Sequence, residues 1–99
     1  QTKAEASVYT AVLSGSGWSG DAAPYTQIVA VEGMTAQDSP VVDLNLTGVS
    51  DSDAPAALET WAALSPSLKV VSGDGNLTFT CYSEDINTSD LTLKILVVA

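Results

Sequence analysis

The chain contains no histidine and no arginine, and it has one cysteine, one phenylalanine and one methionine. Without histidine no Ser-His-Asp or Cys-His arrangement can form, and the commonest general base and metal ligand at neutral pH is missing. Catalysis would need paired carboxylates. The lone Cys81 excludes an internal disulfide framework and a multi-cysteine zinc site, and it reads as a small buried apolar residue in a strand. No apolar run reaches the roughly 18 residues that a membrane-spanning helix needs. The chain begins at Gln1 with neither an initiator Met nor a basic-then-apolar signal segment, as a processed or excised piece of a longer protein does.

Positive charge is scarce as well. Twelve acidic residues stand against three lysines, for a net charge of −9. Such a field repels phosphate backbones and anionic membrane surfaces, so neither nucleic acid nor a membrane is an expected partner. Charged residues are only 15% of the chain, and the surface must therefore be covered by Ser, Thr, Asn, Gln and Gly, a composition common outside cells. The apolar 45% comes mainly from Ala, Val and Leu, with few large anchors. Ninety-nine residues make one domain, 1–99, burying roughly two-thirds of the surface of the extended chain. A core this thin fits burial against a partner copy.

What is present is alternation in short segments punctuated by Gly, Pro, Ser and Asp, the mark of half-buried strands. Residues 5–13 place Val8 and Val12 on one face and Tyr9, Ala11 and Leu13 on the other. Residues 25–32 set Ile28 and Ala30 against Val29 and Val31, and Gly33 ends them. Residues 40–47 alternate Val42, Leu44 and Leu46 with Val41, Asp43 and Asn45. The rhythm breaks at 53–64, where Ala54, Ala57, Leu58, Trp61, Ala62 and Leu64 fall near helical spacing. Ser52 or Asp53 is positioned to cap this helix, Pro55 suits its first turn, Ser65-Pro66 stops it, and Trp61 faces the sheet as a core anchor.

Residues 68–72 and 77–82 flank Gly73-Asp74-Gly75-Asn76, whose Asp-Gly pair supplies the positive φ angles of a tight hairpin turn. Leu77, Phe79 and Cys81 point inward, and Thr78 and Thr80 outward. A polar loop, 83–89, leads to a last strand at 90–98 with Leu91, Leu93, Ile95 and Val97 on one face. Thr92, Lys94, Leu96 and Val98 on the other predict that the end of this strand is covered on both sides. The expected fold is α+β, mostly antiparallel β, with about six strands in a sandwich-like arrangement and one helix covering a sheet or plugging one end.

The acidic residues fall mainly in loops, at Asp21, Asp38, Asp51, Asp53, Asp74, Glu84 and Asp85, where a solvated surface puts them. A glycosidase-like carboxylate pair is the catalytic alternative left open, and these solvated positions argue against it. Asp51-Ser52-Asp53 lacks the later ligands and mid-loop Gly of an EF-hand, and helix capping explains it better. Loop carboxylates leave room for a weak calcium site between subunits. Gly15, Gly17 and Gly20 have neither the order nor the following helix and lysine of a phosphate cradle. Asn45-Leu46-Thr47, Asn76-Leu77-Thr78 and Asn87-Thr88-Ser89 match the N-glycan acceptor pattern, with Asn76 and Asn87 expected to be accessible. No catalytic, metal or cofactor-binding residue emerges.

Residues 17–33 carry the conspicuous aromatics: a tryptophan in a tight loop, a Pro-Tyr strand start, then an alternating strand, with nothing suited to bond-making chemistry. The order Gly-Trp-Ser-Gly at 17–20, Pro-Tyr-Thr-Gln at 24–27, Val-Glu-Gly-Met-Thr-Ala at 31–36 and Val-Val-Asp-Leu at 41–44 resembles small domains of bacteriophage and prophage structural proteins, especially of Firmicutes phages. The resemblance extends through the Ala-rich helix at 54–64, Gly-Asp-Gly and Leu-Thr-Phe within 73–79, and Asp-Leu-Thr-Leu at 90–93. Cys81-Tyr82-Ser83-Glu84-Asp85 departs from it, standing where a Gly- or Pro-containing turn is expected.

The resemblance implies a non-enzymatic virion module at the particle surface, of the capsid-decoration, head-fibre or tail-fibre type. It implies other virion proteins as partners and a homo-oligomer, with a trimer favoured. Trp18, Pro24 and Tyr25 are then the candidate docking or receptor surface, a host-surface glycan being one possible target. The alternative is that Trp18 packs over the sheet end and fixes the loop. A different class of function is a carbohydrate-binding module of a secreted or surface protein, stacking sugars on Trp18, Tyr25 or Tyr82.

Overall fold

A computed structural model describes residues 6–98. The expected start of the first strand at Glu5 lies outside them. The elements in chain order are β1 (Ala6–Leu13), β2 (Tyr25–Ala30), β3 (Val41–Leu44), α1 (Ala54–Leu64), a 3-10 turn (Ser65–Ser67), β4 (Leu68–Gly73), β5 (Asn76–Cys81) and β6 (Leu91–Val98). The strands form two three-stranded antiparallel sheets, ordered β1-β6-β3 and β2-β5-β4. The shortest dimension of the molecule, 20 Å, is that of two stacked sheets with their side chains. The fold is thus α+β and mostly β, as the alternation predicts.

The inward residues of both sheets make one core. Leu13, Leu64, Leu77, Phe79, Cys81 and Ile95 are fully buried, with Leu91, Leu93 and Val97 beside them. Phe79 is the largest of these side chains, and its burial contributes roughly 1.5–3 kcal/mol. The phase of β2 places Val31 in this core and leaves Ile28 exposed.

Strand β3 is shorter than its alternating pattern. The Asn45 N–H still reaches the Thr92 carbonyl (2.9 Å), but its side-chain Oδ1 accepts from the Thr47 N–H (3.0 Å) and turns the chain away. Helix α1 closes one flank of the sandwich, running from the β3 edge of one sheet to the β4 edge of the other. Ala57, Trp61 and Leu64 form its inward stripe, whereas Leu58 is exposed. Asp53 is the N-cap residue but bonds no helix amide with its side chain. Its carboxylate accepts instead from the Ser50 hydroxyl (2.9 Å), so the expected side-chain cap by Ser52 or Asp53 is replaced by a turn built on Ser50. At the β4-β5 hairpin only Gly75 takes positive φ (80°), not Asp74, which is the pattern of a type II turn.

The outer faces hold another departure. In the β1-β6-β3 sheet, Val8, Leu96 and Val41 stand in register across three strands, all exposed; the next row is Thr10, Lys94 and Asp43. The end of β6 is therefore open on this side at Leu96, not covered by its own chain. In the other sheet Ile28, Thr78 and Val71 form a similar row. Both lysines among the described residues, Lys69 and Lys94, lie on these outer faces.

Candidate functional site

The loop after β1 (14–24) and the loop before β6 (82–90) meet at one end of the sandwich, and side chains tie them together. Gln27 sits at an inward position of β2 in register with Phe79 and is buried. Its amide accepts from the Ser14 N–H (2.8 Å) and donates to the Ser14 carbonyl (2.9 Å), reproducing the two-way bond of a strand pair. Ser19 and Thr26 exchange two backbone hydrogen bonds, which lays the tip of the loop along the β2 edge. Gly15 lies so close to the opposing loop that a Cβ there would collide with the backbone of Thr88 and Ser89. Its N–H donates to Asp90 Oδ1 (3.0 Å).

Trp18 enters this junction half-buried, packed on the core, and its indole N–H donates to Asn87 Oδ1 (2.8 Å). Asn87 is only 1% exposed, and its Nδ2 donates to the carbonyls of Leu13 (3.1 Å) and Ser89 (2.9 Å). Both ends of its side-chain amide face partners inside the protein. The expectation that Asn87 is accessible as a glycan acceptor is thereby overturned, because the attachment nitrogen is buried and doubly engaged. Asn76 is half-buried in its hairpin.

Pro24 and Tyr25 lie further out. Pro24 is exposed, and the Tyr25 hydroxyl donates to Glu84 Oε2 (2.7 Å). The other oxygen of Glu84 accepts from the Ala23 N–H (2.9 Å), so one carboxylate holds both sides of Pro24. These bonds favour the charged carboxylate: the Tyr25 hydroxyl first, then the Ala23 amide, lower the Glu84 pKa below its ordinary value. The same hydrogen bond to Glu84, ahead of burial and the negative charge nearby, raises the Tyr25 phenol above its own.

Of the three candidate docking residues, Trp18 is thus committed inward, Tyr25 is held by its hydroxyl, and Pro24 is presented at the surface between them. Sequence reasoning missed Asn87, Gln27 and Glu84. Gln27 had a visible signal, a polar residue in phase with inward Val29 and Val31. Asn87 and Glu84 had none, since their partners lie 69 and 59 residues away.

Two open depressions flank the junction along α1, one of about 360 Å³ against Asp85, Ile86 and Thr88 of the loop before β6. A cleft of about 300 Å³ runs between the start of α1, the end of β3 and the start of β6. It holds Asp53 and Asp90, whose carboxylates already accept from Ser50 and Gly15. No group of three His, Cys, Asp or Glu side chains that could hold a metal ion occurs among the described residues. Cys81 is buried in β5 with its thiol directed at the Ser83 carbonyl (3.5 Å). No protein family, curated protein or solved structure matches this chain.

Proposed function

We propose that this chain is a non-enzymatic structural module of a bacteriophage virion, of the capsid-decoration, head-fibre or fibre-tip type, acting by assembly and surface display. The observation that carries the reading is the distribution of side-chain duties. The conspicuous polar and aromatic groups at the loop end are spent on holding the two loops together, while the outer sheet faces present aliphatic rows such as Val8-Leu96-Val41 to the surroundings. Exposed apolar rows of this kind suit contact with other proteins more than turnover of a substrate. Other virion proteins and further copies of the chain are the partners, in the trimer that the phage resemblance implies. Display belongs to the Pro24 rim, with Trp18 and Tyr25 behind it.

Imaging of an assembled particle with the chain labelled is the direct test. Density for the label at the particle surface is expected; a chain found only free of particles sinks the reading. Trp18→Ala separates docking from packing. If Trp18 touches the partner, particle attachment falls further than the loss of melting temperature accounts for. If it only packs, melting falls and attachment of the folded fraction persists. The carbohydrate-binding alternative rests on Tyr82, 55% exposed beside this rim, and a glycan array decides it.

A further inference from the structure

The four sheet edges are not equally protected. Free edges invite pairing with other chains, and proteins blunt them with charge, proline, short length or a covering segment. Strand β3 has four residues, an Asp at position 43 and Pro40 just before it. Strand β2 is covered at Thr26 by Ser19, and β4 carries Lys69. Among the described residues, strand β1 shows none of these devices along 7–12. Its eight residues, Ala-Ser-Val-Tyr-Thr-Ala-Val-Leu, contain no charge, proline or glycine. Among the described residues no other element hydrogen-bonds the backbone of residues 7–12 on the side away from β6. Only the far end is closed, where Asn87 occupies the Leu13 carbonyl.

The outward residues of this strand read Val8, Thr10, Val12, which is the same from either direction. A two-fold contact requires a surface complementary to itself. An antiparallel pairing centred on Thr10 sets each Val8 opposite the other copy's Val12, with the two threonines facing each other at the centre. Both kinds of pair are favourable across strands. Charge points to the same place: copies carrying −9 repel, and β1 brings no carboxylate to the contact.

We propose that the free edge of β1 pairs with β1 of a second copy, joining two three-stranded sheets into a continuous six-stranded one. The inference goes beyond the virion reading and holds for the free protein in solution. The ladder spans residues 8–12, about 17 Å of strand, well below a standard interface, so weak association is expected. Such a contact is weak between free molecules and effective where copies are already held side by side.

Sedimentation of the full chain from about 10 μM to about 1 mM tests this, the range in which a weak contact is read. Mass rising toward a dimer is expected, with hydrogen exchange of the amides at 8–12 slowing in step. Thr10→Glu sets two carboxylates opposite each other at the two-fold centre, while within its own sheet the new side chain faces Lys94. It should remain monomeric over the same range and melt no lower than the parent. Ile28→Glu, on the other sheet's outer face, should dimerise as the parent does. The proposal is overturned if the parent stays monomeric at the top concentration, if Thr10→Glu associates equally well, or if Ile28→Glu alone abolishes association. A trimer whose mass ignores Thr10→Glu also overturns it, and leaves the virion reading standing.

Discussion

Asn87 and Glu84 do the same job three residues apart and in different media. Each reaches from the loop before β6 to a backbone group and an aromatic side chain on the opposing strand or loop. Asn87 does so in the interior, with Trp18, Leu13 and Ser89 as partners; Glu84 does so in solvent, with Ala23 and Tyr25. A buried amide has no water to replace a lost partner, so its removal costs the full desolvation of the groups left behind. A surface carboxylate gives up its protein bonds for bonds to water at little net cost. Burial, more than the count of bonds, separates a structural anchor from a local one.

The largest expected effect comes from Asn87→Asp. The carboxylate keeps the acceptor for Trp18 but turns an oxygen toward two carbonyls that now need donors, which costs about 3–5 kcal/mol. Urea denaturation measures it, and a loss no greater than that of a surface substitution would break the contrast with Glu84. Gly15→Ala follows, at about 2–3 kcal/mol, because its methyl must displace the backbone at Thr88 and Ser89 instead of a flexible side chain. Trp18→Phe keeps most of the packing and removes the indole donor, leaving Asn87 Oδ1 unpaired, for about 1–2 kcal/mol; the same denaturation series ranks it below Asn87→Asp.

Glu84→Gln is the smallest change at neutral pH, and pH reveals it. A carboxylate held below its ordinary pKa in the folded state contributes stability above that ordinary value, and the contribution is lost as pH falls through the lowered one. Tyr25, raised above its ordinary 10.0, contributes below that value and loses the contribution as pH rises through the raised one. Melting curves of Glu84→Gln should therefore decline less on acidification than those of the parent. Its Tyr25 phenolate absorbance should also develop at lower pH. Identical titrations in the two proteins would show that the Glu84 charge does not reach Tyr25.

The contrast also marks how far the sequence could be read. Elements came from local periodicity, so Leu77, Phe79 and Cys81 in β5 and the inward face of β6 could be placed from alternation alone. The helix was legible from its spacing, but its start was not, because Asp53 turns to Ser50 instead of the helix amides. The hairpin was legible while its turn type was not, as Asp74 keeps negative φ. The loop junction was the least legible. Asn87 looks from its neighbours like a solvent-facing sequon, and only a tryptophan from the other end of the chain makes it a buried hub.

The register of β1 with β6 carries a mechanical consequence. Ala6 lies opposite Val98, so the two ends of the described chain leave the domain side by side. Tension applied between those ends opens the ladder like a zipper, one pair at a time, whereas a load carried through a sheet face strains many bonds at once. A module wired this way yields early when pulled by its ends and holds when gripped by its sides.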